Sequence, residues 1–186
     1  MNRFSITPAS IYDAKIIQRR LIGDNRGYLE RLFCRDDLAD VIGVRSIAQI
    51  NHSFTEKIGT IRGLHYQHPP SAEMKLVSCV KGQVFDVAVD LRQGSPTFLQ
   101  WHAEVLSEDN FKTLAIPEGF AHGFQTMTDD CELIYLHTAP YVPADEAGLN
   151  VLDPALSIEW PLPVTDISER DSRHGMISSD FQGLLV

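Results

Sequence analysis

Residues 75–98 read KLVSCVKGQVFDVAVDLRQGSPTF, two apolar bursts joined by Lys81-Gly82 and closed by Gln93-Gly94-Ser95-Pro96. The bursts, Lys75 to Val80 and Gln83 to Leu91, carry no 3.6-residue period. Glycine and proline sit at their ends, where hairpin and turn chemistry needs them. This pair predicts antiparallel β-structure, and the pattern continues in both directions. Further bursts run over Ile47 to Ser53, Gly59 to Gln67, Thr97 to Leu106, Lys112 to Ile116, Phe120 to Met127 and Glu132 to Thr138. Ser107 to Asn110, Pro117-Glu118-Gly119 and Asp129-Asp130 supply the other turns. Eight or so short strands at near-regular spacing predict an all-β sandwich or jelly-roll barrel, whose lumen can hold a small ligand. Little helix is expected, a short one over Arg35 to Ile42 being the main candidate. After Thr138, Pro140, Pro143, Pro154, Pro161 and Pro163 break the chain into extended segments expected to wrap the barrel. No linker, repeat or low-complexity tract divides the chain, so a single domain over residues 1–186 is expected.

The chain has 186 residues and 44% hydrophobic composition, enough for one well-buried core and short for two. A net charge of −9 argues against nucleic acid or an anionic membrane as partner, since both need a basic surface. An anionic ligand must therefore be caught by a local cluster of arginines and lysines. The first twenty residues carry charges throughout, and no later stretch approaches a membrane span, which points to the cytoplasm. Cys34, Cys79 and Cys131 are odd in number and lack CxxC or zinc-finger spacing, as expected of reduced thiols.

Residues 61–75, IRGLHYQHPPSAEMK, concentrate Arg62, His65, His68, Glu73 and Lys75 in one strand and its exit turn. Such a density of titratable groups is costly for a purely structural segment, because each buried charge must be paired or neutralised. His65 is the leading candidate for a general base, since imidazole titrates near neutrality. A carboxylate must orient it; spacing alone chooses none, but Asp171 in ISERD lies in a polar run of the tail that could return to the barrel mouth. Lys75 opens the strand KLVSCV, where an ammonium could stabilise a developing oxyanion or simply be solvated. Tyr135 lies in the apolar run ELIYLHT, as a core residue with a satisfied hydroxyl or as a general acid. Arg26, Arg62 and Arg170 are the candidates for a diphosphate, whose oxygens match guanidinium forks. On Ile47 to Ser53, the period of two puts Gln49, Asn51 and Ser53 on one side, facing either solvent or lumen.

A metal reading competes. PEGFAHGFQ has the PxGxxH spacing of a second cupin motif, and His65, His68, Glu73 and His122 could form a ligand set. HYQH, however, places its histidines three apart, on opposite faces of an extended strand, so chelation by both is disfavoured. The same alternation separates Arg62 from His65 unless the strand bulges, and Gly63 is the residue that permits this.

RGLHYQ at Arg62 to Gln67, the Lys75 to Phe98 block, LSEDN at Leu106 to Asn110, IPEGFAHGF at Ile116 to Phe124 and the closing DPALSIEWP and SERD closely resemble the dTDP-4-dehydrorhamnose 3,5-epimerase family. The likeness runs from about Asp24 to Asp171. It implies a cupin-type jelly roll, a homodimer, no metal or other cofactor, and epimerisation of a 4-keto-6-deoxyhexose on a nucleoside diphosphate. By resemblance, His65 is the base, Asp171 its carboxylate, Tyr135 the acid on the opposite face and Lys75 the group beside the keto oxygen. Tyr141 matches a second site tyrosine, and Arg26, Gln49, Asn51, Arg62, His122 and Arg170 fall where the family lines its nucleotide and sugar pocket. This chain departs from the pattern at Leu29, Arg31, Glu73 and Val151-Leu152. The first two lie in the base-reading segment, leaving a dTDP, GDP or CDP sugar, and double or single epimerisation, as alternatives within the family. Outside it, the rivals are a metal-dependent cupin enzyme and a non-catalytic sugar-binding module.

Overall fold

The computed structural model describes residues 3–186. Strands β1 (Phe4–Pro8), β2 (Lys15–Arg19), β3 (Ile22–Asp24) and β4 (Gly27–Leu29) precede helix α1 (Ala39–Ile42). The central run is β5 (Gln49–Thr55), β6 (Thr60–Gln67), β7 (Lys75–Lys81), β8 (Gln83–Asp90), β9 (Trp101–Ser107), β10 (Lys112–Ile116), β11 (Phe120–Thr126) and β12 (Cys131–His137). The tail adds β13 (Glu146–Gly148), β14 (Asp166–Ile167) and helix α2 (Glu169–Ser172). Two six-stranded sheets form the sandwich. One has the order β1-β2-β10-β7-β12-β5; the other runs β13-β6-β11-β8-β9, with β14 added in parallel to β6. Consecutive strands mostly sit in opposite sheets, which is the jelly-roll connection expected from the sequence.

Every predicted burst became a strand, with end shifts of a few residues. Thr97 to Leu106 starts later, at Trp101, because Ser95 and Thr97 hydroxyls are drawn into a turn around the Asp90 carboxylate, donating over 2.5 and 2.7 Å. The helix expected over Arg35 to Ile42 shrinks to its last turn, Ala39–Ile42. The sequence reading missed β1 and β2, whose strand character comes from pairing with the distant β10.

Period-two alternation sends each central strand's side chains to two different places. On β8, Val84 and Ala88 pack between the sheets, while Val87 and Val89 face outward under Leu149, Val151 and Leu156 of the tail. On β7 and β12, Val77, Cys79 and Leu133 face the sandwich interior, and Leu76 and Leu136 pack outward against Leu38, Val41 and Ile42 around α1. Both faces are thus covered, which is why the apolar runs look nearly continuous. Buried among apolar neighbours, the Cys79 thiol is pushed up to about 12, first by desolvation, which fits an inert core thiol. The interior is apolar at one end only; at the other, the same inward rows carry Lys75, Tyr135 and His137, and a cavity opens.

Candidate active site

The cavity encloses about 820 Å³ between the two sheets. Ten of the eleven candidate residues line it: Gln49, Asn51, Arg62, His65, Lys75, His122, Tyr135, Tyr141, Arg170 and Asp171. The exception is Arg26. It sits on the β3–β4 hairpin with a side chain 84% exposed, forked onto Asp24 at 2.5 to 3.2 Å, and does not line the cavity. The resemblance implies a pocket contact for it; within one chain the two-residue turn between β3 and β4 points it to solvent. Of the two readings of β5, the lumenal one holds, since Gln49, Asn51 and Ser53 all line the cavity.

His65 owes its place to a bulge. Opposite His122 and Phe124 on β11 stand His65 and Arg62 on β6, so β6 carries one residue more than its partner. Gly63 sits inside that extra step with φ +132°, and a Cβ there would lie 2.5 Å from the Gly123 Cα. Only glycine fits such a conformation at so close an approach. The bulge restores Arg62 and His65 to the same face. Arg62 then spans to β5, donating to Thr55 Oγ1 at 2.9 Å and to the Phe54 carbonyl at 3.3 Å.

Asp171 arrives from the far end of the chain by two local devices. β14 pairs in parallel with Thr60 and Ile61 of β6, laying the tail beside the strand. Ser168 then caps α2, accepting the Asp171 N–H at 3.0 Å in an S-x-x-D turn. The carboxylate that results is 2.8 Å from His65 Nε2 and accepts the Gly63 N–H at 3.1 Å. Burial alone raises its pKa, but the bond and charge of His65 and the Gly63 and Ser168 contacts outweigh burial and hold it well below the ordinary carboxylate range. A carboxylate only accepts, so His65 donates to it from Nε2. Arg170 brings a guanidinium nitrogen 3.1 Å from the same Nε2 and forks onto Glu146 at 3.0 and 3.2 Å. Tyr141 donates to that same Glu146 at 2.7 Å.

The facing sheet contributes Tyr135 and Lys75. The phenol lies 3.0 Å from Ser53 Oγ, and its pKa is raised, mainly by burial and further by the nearby Asp86 charge, so it is protonated at neutral pH. Lys75 is buried and points its ammonium at the His65 carbonyl, 3.3 Å away, and at Glu73, also 3.3 Å away. Beside His65, His122 is bound through Nε2 to Asp86 at 2.8 Å.

The donor set does not suit the metal reading. His122 Nε2 is taken by Asp86, both Glu73 oxygens are engaged by Lys75 and His137, and His68 packs on Tyr66 outside the cavity lining. Among the described residues, His65, Asp171 and His174 bring ligand atoms within 4.8 Å of one another, but Arg170 already places a fixed cation at that point. The sequence reading overlooked His137, Glu146, Ser168 and Asp86. His137 was within reach, because it shares the period-two face of Tyr135, and Ser168 was signalled by the capping spacing in SERD.

Comparison with known proteins closes the case for kinship. Residues 8–179 match the family model described as dTDP-4-dehydrorhamnose 3,5-epimerase. The chain is 45% identical over 168 residues to the enzyme of that name from Sinorhizobium fredii, covering 88% of this chain and 84% of the relative. It is 40% identical over 168 residues to the one from Shigella flexneri, covering 90% and 92%. Among solved structures, the Legionella pneumophila 3,5-epimerase in complex with dTDP-4-keto-L-rhamnose superimposes with a TM-score of 0.90 at 36% identity, over 98% of this chain and 99% of that one. The Bacillus anthracis 3,5-epimerase with TDP and pyrophosphate gives 0.90 at 36% identity, over 94% and 99%. With a family model matched over residues 8–179, relatives 40 to 45% identical along most of their length and the same sandwich in solved structures, this protein belongs to the dTDP-4-dehydrorhamnose 3,5-epimerase family.

Proposed function

We propose that this chain inverts carbons 3 and 5 of dTDP-4-dehydro-6-deoxy-D-glucose to give dTDP-4-dehydro-L-rhamnose, by proton abstraction and return beside the 4-keto group. The observation that carries the mechanism is that His65 and Tyr135 project into one cavity from opposite sheets, with Lys75 between them in chain order and on the tyrosine's sheet. His65 Nδ1 takes the proton from a carbon next to the ketone, and the C–H electron pair passes through the new C=C bond onto the carbonyl oxygen. An enolate results, and its oxygen accepts a hydrogen bond from the Lys75 ammonium. Tyr135, still protonated, delivers its proton to the opposite face of the carbon, directly or through water, and the enolate collapses to the inverted ketone. The phenolate and the imidazolium then recover their resting states by exchange with solvent. Carbons 3 and 5 both adjoin carbon 4, so the same groups serve both once the ring turns. One-base chemistry on one face would restore the starting configuration, which is why the opposed placement matters.

Arg62 and Arg170 offer guanidinium forks to the diphosphate, and Gln49, Asn51, His122 and Tyr141 offer hydrogen bonds to sugar and nucleotide. The working form is a homodimer. β5 is an edge strand whose outer face shows Ile50 and Phe54 half or more exposed, an apolar row that a second copy would cover. Light scattering at the mass of one chain would contradict this. A cytoplasmic location fits three free cysteines, and no helix among the described residues is long and apolar enough to cross a membrane.

The test is incubation with the dTDP, GDP and CDP forms of the 4-keto-6-deoxyglucose sugar in deuterated water. Deuterium at both carbons 3 and 5 of the dTDP sugar is expected. Label at one carbon would make the enzyme a mono-epimerase, and no label with any of the three would sink the proposal.

A further inference from the structure

Glu73 is a carboxylate with no assigned part in the reaction, yet it is buried in the cavity wall with both oxygens occupied. Oε1 lies 3.3 Å from Lys75 Nζ, and Oε2 lies 2.8 Å from His137 Nδ1. Burial alone raises its pKa, but the His137 bond and the Lys75 charge more than offset this, so the group stays ionised. The polar contacts around it form a chain with one consistent direction. The Tyr141 N–H donates to Gln49 Oε1 at 3.0 Å, Gln49 Nε2 to Asn51 Oδ1 at 3.0 Å, and Asn51 Nδ2 to His137 Nε2 at 3.4 Å. His137 passes the direction on by donating from Nδ1 to Glu73. The run therefore fixes the His137 tautomer and the Glu73 rotamer together, from the mouth of the cavity to Lys75.

At the other end, Lys75 Nζ has three donors in tetrahedral array. One meets the His65 carbonyl at 3.3 Å and a second meets Glu73. Among the described residues the third has no acceptor, and the ammonium lines the cavity. A lysine on a flexible four-carbon stem is a poor oxyanion donor unless its head is immobilised, because misplacement of about 1 Å can cost roughly a hundredfold in rate. We propose that Glu73, braced by His137, is a positioning residue that tethers Lys75 so that its remaining N–H is presented to the keto oxygen. This rests on the reading of Lys75 as the enolate's hydrogen-bond donor. Glu73 also supplies the counter-charge without which an ammonium this deeply buried would be costly.

The experiment measures kcat and KM for the wild type, Glu73→Ala, Glu73→Gln, Lys75→Ala and the Glu73→Ala/Lys75→Ala double variant. Glu73→Ala is expected to lower kcat about 10- to 100-fold with KM changed less than about threefold. Glu73→Gln, which keeps a carbonyl oxygen for Lys75, is expected to recover part of that loss. In the Lys75→Ala background, Glu73→Ala is expected to change kcat by less than about twofold, since a residue acting through Lys75 has nothing left to act on. An equal loss in both backgrounds, or a Glu73→Ala enzyme with wild-type kcat, overturns the tether. If Lys75→Ala alone leaves kcat unchanged, the donor reading falls and the tether with it; an impaired Lys75→Ala beside an unimpaired Glu73→Ala overturns the tether alone. Should the alanine variant not fold, Glu73→Gln carries the same comparison in both backgrounds.

Discussion

His65 with Asp171 and His122 with Asp86 are two imidazole–carboxylate pairs facing each other across neighbouring strands, each closed at 2.8 Å between Nε2 and Oδ1. Their surroundings differ. The His65 side chain is 24% exposed to the cavity, whereas that of His122 is 7% exposed. Asp171 is anchored through its second oxygen by the Gly63 N–H; Asp86 Oδ2 is buried with no partner among the described residues. Asp171 is delivered by the tail, while Asp86 belongs to β8, deep in the sandwich. The contrast shows that a histidine–carboxylate pair is not by itself a catalytic unit. What makes the first pair a candidate base is an imidazole open to the cavity and a carboxylate with both oxygens satisfied. In the second pair the imidazole is almost wholly buried in the cavity wall, and the Asp86 charge helps keep the Tyr135 phenol protonated.

The largest effect should separate the two histidines directly. Replacing His65 by alanine is expected to lower kcat by about 10²- to 10⁴-fold while dTDP binding persists. His122→Ala should weaken substrate binding and cost about tenfold or less in kcat, a hydrogen bond's worth. Steady-state kinetics with dTDP titration checks both, and equal losses in kcat would erase the distinction drawn between the pairs.

A second way to sharpen it uses the facing acid. Tyr135→Phe removes the proton donor but leaves His65, Asp171 and Lys75 in place. Inversion should fall about a hundredfold, yet His65 should still exchange substrate protons with solvent on its own face. Mass spectrometry and NMR of substrate recovered from deuterated water should show label with unchanged configuration. Loss of exchange in step with inversion would return Tyr135 to a purely structural part.

The smallest effect concerns stability. The folded Asp171 carboxyl titrates below its ordinary value, so its contribution is complete above about pH 4 and is lost as pH falls further toward the folded pKa. Wild type should therefore exceed Asp171→Asn by on the order of 1–2 kcal/mol at pH 7, and the gap should narrow progressively as pH falls below about 4. Urea unfolding at pH 7 and pH 3 measures this; a gap that stayed constant would remove the charge from the account.

Much of this was legible in the sequence where local pattern and final environment agree. β10 was read as Lys112 to Ile116 because apolar alternation and the flanking turns both mark it, and the structure returns the same bounds. Gly63 was read as the place for a bulge because two functional residues could not otherwise share a face. The illegible parts are those decided by distant partners. β1 and β2 carry too few apolar residues to declare themselves and become strands by hydrogen bonding toward β10, nearly a hundred residues away. Arg26 has the right chemistry for a diphosphate, but a hairpin's outward direction is not written in its composition. Glu73 looked anomalous because its two partners, Lys75 and His137, lie on different strands and only one was in view.

The parallel pairing of β14 with β6 has a temporal meaning. Synthesis runs from the amino terminus, so His65, Lys75, His122 and Tyr135 are all made before the segment that bears Asp171. The carboxylate proposed to orient the base is therefore the last of these groups to be made. On the proposed mechanism, a product cut short ahead of Ser168 would lose the carboxylate that orients its base and, with it, the Leu184 that packs in the outer core.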